Sequence, residues 1–287
     1  MSRFTRLLVA FAATLLLVTA VACRPAETPP VPHVVVTAAE ELPLDPFDPA
    51  WQAAPEHIAR LLLQDMVEPR TLEITTEEVR VRSLSAGGRI AFRLQWNDRD
   101  PDDAPGQIRF ADACAVQLPA EAGPTLPAPQ MGEPGHAVEI TYWSAKRQAA
   151  LENPVESIAD IYPHASVDHY PFEADSLEEG SPQQRAMALR YSPAHALGNP
   201  VSGPITSAVE DLIAAGPGTT TTSPTGGSEG RGERTDDGWA VVIVRTLPPG
   251  LAGNPAAQVA LAVWDGSHGE TGARKMRTGW IPMEWLP

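Results

Sequence analysis

The chain has 287 residues, a formal net charge of −15 and an isoelectric point near 4.8. That is room for one large β domain or two ordinary ones, and the acidic balance argues against a nucleic-acid partner. Seven tryptophans stand beside four tyrosines and six phenylalanines, a bias that suits a β-rich core or the wall of a cofactor site.

At the N-terminus, Arg3 and Arg6 precede an apolar run from Leu7 to Val21 that is short for a membrane span. Residues 1–22 read as a targeting signal, which predicts export to the periplasm or the outer face of the cell membrane. The run ends Ala20-Val21-Ala22-Cys23, which satisfies the small-x-small rule of an ordinary signal peptidase and also resembles a bacterial lipobox. Lipidation at Cys23 is the expectation, with conventional cleavage as the alternative. If Cys23 carries lipid, Cys114 is left alone, and a single thiol in a strand-like segment is a buried small hydrophobe with no catalytic role. The absence of Cys-x-x-Cys-His excludes the usual covalent c-type haem attachment. Residues 24–50 hold seven prolines and read as an extended tether, with the folded domain running from Trp51 to residue 287.

Ile58 to Met66 fits either a short helix or a strand. From there the pattern has period two. In Arg89 to Trp96, the residues Ile90, Phe92, Leu94 and Trp96 share one face, which must meet a core. Strands are also predicted at Leu72–Ser83, Ala113–Leu118, Val138–Trp143, Ala186–Tyr191, Trp239–Thr246 and Gln258–Trp264. Long insertions at Leu118–Gly135 and Ser144–Gln184 separate them, and few helices appear. The predicted fold is an all-β, antiparallel β-sandwich carrying its function on loops. Gly216–Asp237, rich in Thr, Gly and Ser, reads as a flexible surface loop.

Four places could carry chemistry. Asp98-Arg99-Asp100-Pro101-Asp102-Asp103 resembles the start of a calcium loop but lacks the ligand spacing, so it reads as a solvated turn. His164 and His169 read as loop caps before they read as metal ligands. Met131 ends a proline-rich insertion, where it is either loop packing or a soft thioether ligand for haem iron. Lys275 is one of only two lysines against 19 arginines. It is either a surface member of an Arg-Lys-x-Arg cluster or an amine chosen because, unlike guanidinium, it can lose its proton and donate a lone pair.

Taken together, Leu94-Gln95-Trp96-Asn97-Asp98, Phe110 to Pro119, Met131-Gly132-Glu133-Pro134-Gly135, Ile140-Thr141-Tyr142-Trp143, Gly198-Asn199-Pro200, Val209 to Gly216 and Gly272-Ala273-Arg274-Lys275 with Trp280 resemble a known family. It is the haem b-binding gamma subunit of type II dimethyl-sulfoxide-reductase-family molybdoenzymes, such as those of ethylbenzene dehydrogenase and chlorate reductase. The resemblance covers roughly residues 51–287. It implies a β-sandwich related to carbohydrate-binding modules and a non-catalytic electron-transfer subunit with one non-covalent haem b. By motif position the axial ligands fall on Met131 and Lys275. Arg274 and Arg277 flank the lysine and are candidates for the haem propionates. The implied partners are a molybdenum catalytic subunit, an iron–sulfur subunit and an external cytochrome or quinone-linked carrier. The competing reading is a haem-free, lipid-anchored binding module for carbohydrate or another subunit.

Overall fold

The alternation read at Arg89 to Trp96 belongs to one of fourteen strands that, among the described residues, build two facing layers. The computed structural model describes residues 31–100, 102–103, 110–152, 164, 178, 180–191, 193 and 205–286. In chain order these hold β1 (Val34–Ala38), β2 (His57–Arg60), β3 (Leu62–Leu63), β4 (Glu78–Ala86), β5 (Arg89–Asn97), β6 (Ala113–Pro119), β7 (Val138–Ser144), β8 (Val209–Ala214), β9 (Thr221–Thr222), β10 (Glu229–Arg234), β11 (Gly238–Thr246), β12 (Gln258–Trp264), β13 (Met276–Arg277) and β14 (Ile281–Leu286). Two helices, Ala145–Glu152 and Pro182–Tyr191, accompany them.

One layer runs β10-β11-β5-β4, with β2 and β1 sharing the far edge of β4. The other runs β12-β6-β7-β8-β9, with β13 on β12 and β3 on β13. Strand pairing is antiparallel except at β1, which lies parallel to both β4 and β14. Because β14 also pairs with β12, this seam stitches the layers together, and the sandwich is mixed where a purely antiparallel one was expected.

Ile90, Phe92, Leu94 and Trp96 of β5 and Trp239, Val241 and Ile243 of β11 share one core with Cys114, Val116 and Leu118 of β6 and Val259, Leu261 and Val263 of β12. Trp143 of β7 meets Trp96 and Trp239 edge-on, with ring centroids 6.5 and 5.2 Å away. Burying each such side chain is worth roughly 1.5–3 kcal/mol, so the meeting of the two faces dominates the stability of the fold.

The structure departs from the sequence reading in four places. The second half of the proline-rich stretch is no tether: Val34, Val35 and Val36 are buried in β1, and Trp51 and Ala54 close a second cluster over Leu84, Ala91 and Val244. The stretch 216–237 contains β9 and β10. Ala186–Tyr191 lies in a helix, which starts behind Ser181, whose Oγ accepts from the Gln184 amide at 3.2 Å, with Pro182 in its first turn. The strand expected from Leu72 begins only at Glu78. Residues 1–22, Cys23, His169 and Gly198–Pro200 lie outside the described residues.

Candidate functional site

Strands β6 and β12 place large side chains in the core and small ones on the opposite face. Ala113 and Ala115 face outward from β6, with Ala262 and Trp264 from β12, and Ile140 and Tyr142 of β7 and Leu212 of β8 join them. Above this alanine floor lies a cavity of about 580 Å³, within the size range of small-molecule sites. Loops supply its remaining walls: Gln64, Val67 and Glu68 on one side, Pro129 to Met131 on another, then Pro217 and Gly218, and finally Gly272, Ala273 and Lys275.

Met131 is the one non-glycine residue with positive φ among those described, at 69°. A left-handed L-residue costs about 1–2 kcal/mol, so the loop must be held there by its surroundings. It is. Gly132 donates its amide to Ala128 at 2.9 Å, the Met131 carbonyl accepts from the Gly216 amide at 2.9 Å, the Gln117 side chain donates to the Pro129 carbonyl at 3.1 Å, and Trp280 Nε1 donates to the Pro127 carbonyl at 2.7 Å. These anchors come from β6, the loop after β8 and the chain before β14, so three separate parts of the sandwich fix one thioether.

Lys275 is held as firmly. Its amide donates to Thr71 Oγ1 at 3.1 Å, Gln64 Nε2 donates to the Ala273 carbonyl at 3.1 Å, and Trp264 Nε1 donates to the Gly272 carbonyl at 3.1 Å. Nζ then stands 4.9 Å from the centroid of the Trp264 ring and 4.0 Å from Met131 Sδ. Burial first, and the charge of Arg277 second, lower the lysine to a pKa of about 8. That brings the neutral amine within reach near physiological pH, which a solvated lysine does not offer.

Of the two arginines, Arg277 lines the cavity and Arg274 is exposed outside it. Arg277 Nε is buried without a hydrogen-bond partner, and its Nη2 is 4.0 Å from Asp65 Oδ1. As a cavity-lining cation, Arg277 suits an anionic group entering the cavity. His164 is exposed in a turn. Cys114 is fully buried in the core, and burial pushes its thiol well up, as befits a small hydrophobe. Asp98 is not solvated: it is buried near Asp112 and Asp265, and the carboxyls of Asp102, Asp112 and Asp265 lie within 4.8 Å of one another.

Sequence reading missed Trp264, Tyr142 and Gln64 as wall residues. The signal for the first was present, since the outward positions of Gln258 to Trp264 run Ala260, Ala262, Trp264, small residues ending in a large ring. Tyr142 packs edge-on against that ring, centroids 5.2 Å apart, and burial raises its phenol to about 12.

Fold and site together define a β-sandwich ligand-binding domain whose cavity carries a thioether and an amine aimed at each other. The chain belongs to the ethylbenzene dehydrogenase family, whose model matches residues 48–276. It is 25% identical over 274 residues to a putative respiratory nitrate reductase heme subunit of Haloferax mediterranei, covering 93% of this chain and 76% of that one. It is 24% identical over 217 residues to the chlorate reductase subunit gamma of Ideonella dechloratans, covering 73% of this chain and 64% of that subunit. Among solved structures, a family 9 carbohydrate-binding module from Caldicellulosiruptor kristjanssonii in complex with cellotriose aligns at 9% identity with a TM-score of 0.39, covering 88% of this chain and 94% of that one.

Proposed function

We propose that this protein is the electron-transfer subunit of a molybdoenzyme complex and that its cavity holds one non-covalent haem b between Met131 and Lys275. The observation that carries this reading is the 4.0 Å separation of Lys275 Nζ and Met131 Sδ above an alanine floor. A sulfur and an amine nitrogen that close would hold one metal-centred group between them. The relatives named as a heme subunit and as a reductase gamma subunit support the same reading.

A haem held by Met131 and Lys275 would supply one-electron chemistry rather than bind substrate. The chain's own work is then positional. Lys275 offers its lone pair because burial and Arg277 favour the neutral amine. Met131 offers a thioether, which favours the ferrous state. Trp264 and Tyr142 would wall one side, and Arg277, which also lines the cavity, would meet a propionate. Electrons would pass between a molybdenum subunit, through an iron–sulfur subunit, and an external cytochrome or quinone-linked carrier. Residues 1–22 act in this reading as an export signal, with Cys23 lipidated to attach the complex to the membrane surface.

The absorption spectrum of the purified protein with and without dithionite tests the haem. A b-type Soret and alpha band are expected in the wild type, with loss of the six-coordinate form in both Met131→Ala and Lys275→Ala. Retention of the wild-type spectrum by either single variant overturns the ligand assignment. Mass spectrometry of the mature N-terminus, with Cys23→Ser as control, tests the lipid.

A further inference from the structure

The segment from Leu62 to Glu77 forms a cavity wall on one side and faces solvent on the other. Gln64, Val67 and Glu68 line the cavity, and Thr71 fixes the Lys275 backbone. Its exposed residues are unusually apolar. Leu62 is 51% exposed, Met66 65%, Leu72 71% and Ile74 58%, four of the ten large hydrophobic residues exposed among those described. Four such residues within thirteen positions of chain, against six across the rest of the described residues, point to an interaction surface. Asp65, Glu68, Glu73 and Glu77 are exposed among them, and the single basic residue of the stretch, Arg70, is paired with Glu68 at 2.7 Å.

We infer that residues 62–77 are the docking surface for a redox protein with an apolar contact patch ringed by lysine or arginine. This rests on the haem reading above, because electron tunnelling weakens steeply with distance and a partner seated here lies against the wall behind which Lys275 and Met131 meet. Charge selects the occupant. A second copy of this chain would bring the same acidic ring face to face with its own, and an anionic membrane surface would be repelled likewise. A basic ring is attracted, which speeds encounter, while Leu72 and Ile74 supply the contact that slows departure.

The test uses the full mature protein and mitochondrial cytochrome c, a basic redox protein, as probe, in isothermal titration at low and high salt. Leu72→Ser with Ile74→Ser is expected to weaken binding by about tenfold or more. Glu73→Gln with Glu77→Gln is expected to weaken it and to flatten its salt dependence, whereas Glu40→Gln with Glu41→Gln, the same charge change on an exposed stretch elsewhere, is not. Equal losses in the two glutamate pairs would mean attraction by net charge alone and overturn the proposal, as would no binding of cytochrome c. Wild-type dimers in sedimentation velocity that the Leu72/Ile74 variant loses would make a second copy the occupant and overturn it too. The titration needs no haem, so failure to load haem sinks the electron-transfer reading separately, while a haem-loaded protein indifferent to these substitutions sinks only the docking surface.

Discussion

Lys275 and Met131 stand 144 positions apart in the chain, and their Nζ and Sδ atoms meet at 4.0 Å. Neither loop reaches the other by its own preference. The methionine is held at a φ of 69°, and the lysine stands just before the two-residue strand β13, on a loop pinned through Gln64, Thr71 and Trp264. In the haem reading, a thioether so placed should tune the iron. Met131→His keeps a ligand of similar reach but replaces the group that favours the ferrous state. A potentiometric titration of the haem-loaded variant is expected to give a lower midpoint than wild type; an unchanged or higher value would remove Met131 from the iron.

The alanine floor makes a separate prediction. Ala115 is buried but faces the cavity, so Ala115→Leu fills space that the fold leaves open, without pushing into the core. Haem uptake is expected to fall about tenfold or more, since an added isobutyl group must be displaced for a ring to lie on the floor, while the haem-free protein melts at or above the wild-type temperature. Wild-type haem affinity in this variant would mean that the ligand sits elsewhere.

Strands with clean alternation, β5 and β12, were legible because one face meets the core and the other does not. Met131 and Lys275 each stood out as a residue type out of place in its neighbourhood, and the fold brings their side chains together. What stayed hidden had a physical reason in each case. The buried strand β1 lies among prolines that frame it without interrupting it, so composition masked three consecutive valines. Strand β10 was hidden by glycines read as flexibility. A Cβ on Gly230 would stand 2.3 Å from the Val209 side chain, and one on Gly232 would stand 2.2 Å from the Trp143 ring. These glycines are there for close approach, which no local pattern reveals. The second arginine of the cluster, Arg277, faces the cavity because it sits on β13, whereas Arg274 lies in the turn before it, and sequence gave both the same standing.

That close approach is testable. Gly232 donates its amide to Gln148 Oε1 at 2.7 Å, and Trp143 Nε1 donates to the same oxygen at 3.1 Å, so backbone and indole are locked together with no slack. Gly232→Ala must move either β10 or the indole that packs against Trp96 and Trp239. Overpacking of this kind costs typically about 1–3 kcal/mol. Urea denaturation should show a loss in that range, and Gly226→Ala, where nothing lies within 4 Å of an added Cβ and the backbone is not left-handed, serves as the control.

Asp98 gives the pH dependence. Burial first, then the neighbouring carboxyls of Asp112 and Asp265, push it from 3.8 up to about 7, partly opposed by the Asp100 amide that donates to it at 3.0 Å. Between those two pH values the folded chain keeps a proton that the unfolded chain releases, so stability falls as pH rises through this window. Below about pH 4 both states are protonated; above about 7 both are ionised and the whole penalty is in place. A tenfold difference in proton affinity is worth about 1.4 kcal/mol. Asp98→Asn keeps an oxygen for the Asp100 amide and abolishes the titration, at the loss of a weak contact with Arg234 Nη1 at 3.9 Å. His268, raised by Asp265, and Glu270, raised by burial, lose stability in the same direction, and because the Asp98 charge also raises His268, the difference between variant and wild type reports Asp98 together with that coupling. Melting curves of both proteins from pH 4 to pH 8 should cross: the variant equal or weaker at the acid end and more stable at pH 8. A gap that stays constant across the range would place the Asp98 proton outside this window.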